Sequence, residues 1–230
     1  MASSPTTEKV IPYALLGMTA VTGLVDAVSF LSLGRVFTAN MTGNVVILAF
    51  ATARVPGLSI AYSLTALLSF LIGAIFGGRI MARAGADSQI RFAARAFVLE
   101  VVFLSVASFC SIGYRSDLLE HSFQPFALIA LTALAMGTRN AAVRKLAIPD
   151  LTTTVLTLTI TGIGADSSIA NGNNPRLARR VASVVAMFLG AALGAVIIRY
   201  SISAALWLGT AISALCSAAL FRALRTPDEL

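Results

Sequence analysis

The sequence predicts an all-α fold, a polytopic membrane helical bundle with about six spanning helices and two short re-entrant or broken helices. Three observations lead there. Hydrophobic residues make up 57% of the chain and charged residues 12%, with a mean hydropathy of +0.87, whereas soluble domains carry roughly 25% charged residues. The apolar residues fall into runs of about 20, the length a helix needs to cross a bilayer. Transmembrane strands would alternate with a period of two over about ten residues, and no such alternation is present.

The 17 Lys and Arg against 10 Asp and Glu give a net charge of +7. These cations sit between the apolar runs, which is the positive-inside loop bias of a membrane protein and not a nucleic-acid face. Cys110 and Cys216 lie inside apolar runs and read as small packing residues; their spacing gives no disulfide framework and no metal set. His121, with Asp117 and Glu120, reads as part of a solvated loop. The first ten residues form a polar tail, and the apolar run after it is too long for the core of a cleavable signal, so it is expected to stay in the membrane.

In chain order the expected spans are residues 11–31, 58–78, 96–114, 125–142, 181–198 and 201–221, and the two short apolar segments are 41–53 and 155–165. At about 1.5 Å per residue the short pair reach only part of the way across. Loop charge decides what they do. Arg79, Arg83, Arg91 and Arg95 mark one connection as cytoplasmic, as do Arg139–Lys145 with Arg144, then Arg176, Arg179 and Arg180, then Arg222 and Arg225. If all eight segments crossed, residues 139–145 and 176–180 would lie on opposite faces, against the positive-inside bias. Re-entrant short segments remove the conflict, with six crossings and both termini cytoplasmic. Irregular backbone at membrane depth requires protein or a water-filled cavity around it, so two such elbows predict an interior polar cavity.

The halves also repeat. Gly23-Leu-Val-Asp26-Ala27 aligns with Gly137-Thr-Arg-Asn140-Ala141 at an offset of 114, and Phe37-Thr38 with Leu151-Thr152 at the same offset. Gly73-Ala-Ile-Phe-Gly77 aligns with Gly190-Ala-Ala-Leu-Gly194 at an offset of 117. Units of three crossings each would be inverted relative to one another, the plan of many transporters. The expected organisation is a tail at 1–10, one transmembrane domain at 11–225 with halves at about 11–114 and 125–221, and a tail at 226–230.

Gly23-Leu-Val-Asp26-Ala27-Val-Ser-Phe30, Leu33-Gly34-Arg-Val-Phe37-Thr-Ala-Asn40-Met-Thr42-Gly43-Asn44, Met136-Gly137-Thr-Arg139-Asn140-Ala-Ala and Pro149-Asp150-Leu-Thr-Thr-Thr154 resemble the YoaK family of bacterial multi-pass membrane proteins. The resemblance runs over about residues 10 to 225. It implies a bacterial inner-membrane location and brings no substrate or reaction.

The candidate binding residues are Asp26, Asn40, Thr42, Gly43, Asn44, Arg139, Asn140, Thr152, Thr153 and Thr154. A carboxylate within a span costs about 2.5–3.5 kcal/mol on insertion scales, so Asp26 is expected to have a partner or a wet cavity. Its functional reading is a proton or cation site; its structural reading is an ion pair or a bond to an elbow's backbone. Arg139, beside the repeat counterpart Asn140, is nominated as partner. Asn40, Thr42 and Asn44 surround Gly43 where a short helix begins, a place that suits an anion, with helix capping as the alternative. Thr152, Thr153 and Thr154 form the second elbow, where Asp150 is expected to cap the helix. Thr157, Thr159 and Thr161 do not share one helical face, and Asp166 reads as a boundary residue. Glu100 is placed near the cytoplasmic end of its span, snorkelling or paired with Arg95. The two Gly-x-x-x-Gly motifs read as helix-contact faces.

These features point to a channel or secondary transporter for a small polar or anionic solute, with the lipid bilayer as its surroundings. The alternative is a non-transporting scaffold or regulator. No cofactor or nucleic-acid partner is implied, and a homo-oligomer is left open. The sequence contains no P-loop, dinucleotide glycine fingerprint, Gly-x-Ser-x-Gly elbow or Cys-His set, so an enzyme ranks last.

Overall fold

A computed structural model describes residues 5–85, 88–114 and 123–225. Among these the regular structure is helical: α1 (Pro5–Ser32), α2 (Met41–Thr52), α3 (Ile60–Ala82), α4 (Gln89–Cys110), α5 (Gln124–Leu146), α6 (Thr157–Ala165), α7 (Leu177–Ile197) and α8 (Ile202–Arg225), with a 3-10 turn at Ser168–Ala170. Six of these helices are long and apolar enough to cross a membrane: Val10–Ser32 within α1, and α3, α4, α5, α7 and α8. The helices overrun the expected spans at their charged ends, because a helix need not stop where the membrane does. Thus α3 continues through Arg79, α4 begins ahead of Arg91 and Arg95, and α5 continues through Arg144 and Lys145. The loop holding Asp117, Glu120 and His121 lies outside the described residues.

α1 and α5 are the most enclosed helices, α3 and α7 the least. The outer pair turn Leu68, Leu71 and Ile75, and Phe188, Leu189 and Leu193, outward, which suits contact with lipid chains. α1 packs on α7 and α8, α5 on α3 and α4, and α4 on α8, while α2 lies on α3 and α6 on α7.

Two helix pairs cross on glycine. Without a Cβ, Gly73 lets α3 sit against the Leu134 carbonyl of α5, Gly77 meets that of Thr138, and Gly137 meets that of Phe70. The Thr138 hydroxyl donates to the Gly73 carbonyl at 3.1 Å across this contact. On the other side of the bundle, Gly190 sits on the Ala20 carbonyl, Gly194 on Leu24, and Gly23 on the Met187 carbonyl. Both Gly-x-x-x-Gly motifs are therefore helix-contact faces, as their spacing predicts. In this apolar setting hydroxyls bond back to their own helix: Thr19 to Leu15 O at 2.8 Å, Thr132 to Leu128 O at 2.6 Å and Ser217 to Ser213 O at 2.8 Å.

The ends of the helices fix the path of the chain. Tyr114 Oη donates to Ser32 O at 2.8 Å, tying the end of α4 to the end of α1. At that same end the Tyr62 ring lies under Gly34 and packs on Phe126, with ring centroids 4.7 Å apart. α1 therefore finishes where α3 begins, so α2 leaves and returns to one end of the bundle. Burial and the neighbouring Tyr62 push the Tyr114 phenol up to about 12, so it remains a neutral donor.

Candidate functional site

The chain after α1 doubles back along it. Asp26 lies six residues before the end of α1, about 9 Å below it at the usual rise. Its Oδ1 accepts the backbone N–H of Thr38 at 3.0 Å and of Ala39 at 2.9 Å. α2 therefore starts well short of that end of the bundle and climbs back towards it over 12 residues, about 18 Å. Asn44, fully buried, holds the elbow from the other side: its Oδ1 accepts from Phe37 N at 2.9 Å and its Nδ2 donates to Phe37 O. The Phe37 ring stacks on Phe30 and fills the space over Gly43. Asn40 is the N-cap residue of α2 but its side chain caps nothing, and Asn40 and Thr42 are exposed. Asn44 clamps Phe37 in place of the helix capping that is the alternative reading of this group, because its side chain points back towards the start of its helix and reaches the preceding extended segment.

The second elbow is built with different chemistry. Asn140 lies six residues before the end of α5. Its Oδ1 accepts the Thr154 hydroxyl and its Nδ2 donates to Met136 O at 2.9 Å. Thr152 is exposed and donates to Val155 O at 2.8 Å, while Thr153 is buried at a φ of 61° with its hydroxyl unpartnered. α6 begins at Thr157, two residues later than expected, with no side-chain cap at Leu156. Of its threonines only Thr159 is buried, consistent with their not sharing a face.

Asp150 does not cap α6. It sits at a φ of 63° and accepts Arg176 Nε at 2.6 Å and Arg180 Nε at 3.0 Å. Arg180 also meets Asp166 at 2.8 Å and donates to the Gly162 carbonyl. Burial would raise the Asp150 carboxyl, but the hydrogen bonds and charges of the two arginines outweigh it and hold it below the usual carboxylate range. The network pins the 147–156 elbow and the far end of α6 to the start of α7. Asp166 is thus a boundary residue with a structural partner.

Arg139 corrects the nominated pairing. Its guanidinium does not serve Asp26; Nη1 meets Glu100 Oε1 at 3.1 Å and Met18 O at 2.9 Å, and Nη2 reaches the Thr22 hydroxyl and Met136 Sδ. Ser213 Oγ donates to the same Glu100 oxygen at 3.0 Å. Both charged side chains are wholly buried. Glu100 therefore neither snorkels nor pairs with Arg95, which lies over the Phe92 ring at 4.7 Å. Starting the span at residue 96 put Glu100 near its end; α4 starts at Gln89, so Glu100 is midway along the helix. Cys216 packs under Gly17 as expected, but Cys110 is exposed at the end of α4.

The proposed binding residues thus form separate groups: Asp26 with Asn44 at the first elbow, Asn140 with Thr154 at the second, and Arg139 with Glu100 between α1, α4, α5 and α8. Among the described residues no cluster of His, Cys, Asp and Glu could hold a metal.

Residues 14–219 match the family described as "Protein of unknown function (DUF1275)". The chain belongs to the DUF1275 family. A relative, the UPF0700 transmembrane protein YoaK of Bacillus subtilis (strain 168), is 37% identical over 155 residues, covering 67% of this chain and 65% of that protein. The matched region thus spans a little under two thirds of that relative's length. No solved structure matches the chain. The DUF1275 assignment agrees with the YoaK resemblance in the sequence and with an integral membrane protein.

Proposed function

We propose that this DUF1275 protein is a bacterial inner-membrane channel or secondary transporter for a small polar or anionic solute, not an enzyme, built as an inverted repeat with both termini in the cytoplasm. The observation that carries the reading is the register of the glycine crossings. Adding 117 to Gly73 and Gly77 gives Gly190 and Gly194, and subtracting 114 from their partners Leu134 and Thr138 gives Ala20 and Leu24. The reciprocal contact obeys the same rule, Gly137 on Phe70 corresponding to Gly23 on Met187. Asp26 and Asn140, each anchoring an elbow, are related by the same offset of 114.

In such a plan the half-helices supply the binding groups. α2 and α6 begin part-way along the length of the bundle with first-turn N–H groups that no side chain caps, a setting that favours anions and polar solutes. Asn40, Thr42 and Thr152 are the exposed polar groups beside them. A non-transporting scaffold has its own support: Asp26, Asn44, Asn140 and Thr154 are bonded to the protein's own elbows.

Purified protein in liposomes decides between the two readings. Chloride and nitrate efflux and glycerol-driven swelling are expected to exceed those of empty liposomes for at least one solute, and to fall in Asn40→Leu/Thr42→Leu. Flux at background for all three solutes would leave the scaffold reading in place.

A further inference from the structure

The Arg139–Glu100 pair is bonded on one side only. Glu100 Oε1 takes both donors, Arg139 Nη1 and Ser213 Oγ, while Oε2 is buried with no partner among the described residues, as is Arg139 Nε. A bare carboxylate oxygen in an apolar interior carries a desolvation cost that neither donor relieves. The chemistry of the surroundings restricts what could relieve it. A metal cation would meet the guanidinium, an anion would meet the carboxylate, and both side chains are wholly buried.

We propose that Glu100 is a proton-binding site at the centre of the bundle. The proton adds to Oε2 to form a neutral carboxylic acid, while Oε1 keeps its bonds from Ser213 and Arg139. Arg139 retains its charge and its bonds to Met18 O and the Thr22 hydroxyl. The pair then passes from a net charge of zero to +1. The other charged or titratable groups on the packed helices are few. α8 brings Cys216 into the field of both members of the pair, and α1 brings Asp26, which feels the charge of Arg139. α3 carries Tyr62 and Arg79 near its ends, α5 carries Arg144 and Lys145 in its last turn, and α8 carries Arg222 and Arg225 in its last turn.

This goes beyond the transport reading and does not depend on it. Where that reading holds, the +1 state would draw an anion towards the elbows, making the proton the coupling ion of an anion symport.

Infrared difference spectroscopy of the full chain in lipid nanodiscs tests the proton directly. A carboxylic-acid C=O band should titrate with pH, shift in D2O, vanish in Glu100→Gln and persist in Asp26→Asn. The absence of a titrating band, or its survival in Glu100→Gln, would overturn the proposal. Should Glu100→Gln fail to fold, Ser213→Ala serves instead: losing a donor to the charged form should raise the midpoint by about one pH unit, and an unmoved midpoint would count as refutation. The band reports proton binding whether or not any solute is carried.

Discussion

Arg139 of α5 meets Glu100 of α4 at 3.1 Å, with both side chains shut away from solvent and 39 residues apart in sequence. Removing one member of a buried pair leaves the other charge uncompensated, which costs about 3–5 kcal/mol, whereas replacing both with apolar groups is often neutral. Arg139→Met and Glu100→Leu should each lower the unfolding midpoint in detergent sharply. The double substitution should recover most of the loss, giving a large coupling energy in the cycle.

The glycine crossings predict a contrast between neighbours. A Cβ at Gly73 or Gly190 would run into the backbone carbonyl of Leu134 or Ala20, whereas at Gly78 it would meet nothing within 4 Å. Gly73→Ala and Gly190→Ala should each destabilise by about 1–3 kcal/mol through forced separation of the helices. Gly78→Ala should be neutral or mildly stabilising, since Ala is the better helix former. Thermal unfolding of the three variants in the same detergent checks this.

How much of this could be read from the sequence depended on the range of the signal. Six spans follow from apolar runs, and the crossings follow from Gly73-x-x-x-Gly77 and Gly190-x-x-x-Gly194, because both signals are local and periodic. The Glu100–Arg139 pair left no such trace. Arg91 and Arg95 set the apparent start of the span too late, and nothing in spacing links residues on separate helices. The structural reading of Asp26, a bond to an elbow's backbone, was legible because a carboxylate in a span demands a partner. That Asn44 would reach back seven residues to clamp Phe37 was not, since Asn after Gly near a helix start reads equally as capping.

At the first elbow, Asp26→Ala removes the acceptor of two backbone N–H bonds, while Asp26→Asn keeps a neutral acceptor in the same place. Bonds to a charged acceptor contribute about 1.5–3 kcal/mol each. Hydrogen exchange at Thr38 and Ala39 should therefore accelerate strongly in Asp26→Ala and less in Asp26→Asn. The second elbow should be unaffected in both.

Asp150 sets the pH response of the other elbow. Its carboxyl is depressed in the folded protein, so the stability it contributes is present above the ordinary carboxylate pKa and is lost as pH falls through the lower folded value. Exchange protection across residues 147–156 should stay flat from neutral pH down to about pH 5 and fall only in stronger acid. Asp150→Asn should lose that protection at neutral pH, leaving Arg180 with Asp166 and the Gly162 carbonyl.

Thiol accessibility on either side of the membrane tests the central claim, that the two short helices re-enter from opposite faces. Single reporters at Ser3→Cys, ahead of α1, Pro56→Cys, after α2, and Asn173→Cys, before α7, are placed in a Cys110→Ser/Cys216→Ser background; Pro56 and Asn173 are exposed. With a membrane-impermeant maleimide on intact cells, Pro56→Cys should label at once, and Ser3→Cys and Asn173→Cys only after permeabilisation. Ser3→Cys and Pro56→Cys labelling from the same side would mean that α2 crosses, Pro56→Cys and Asn173→Cys labelling from the same side that α6 crosses, and either result would contradict the inverted repeat with its two half-helices.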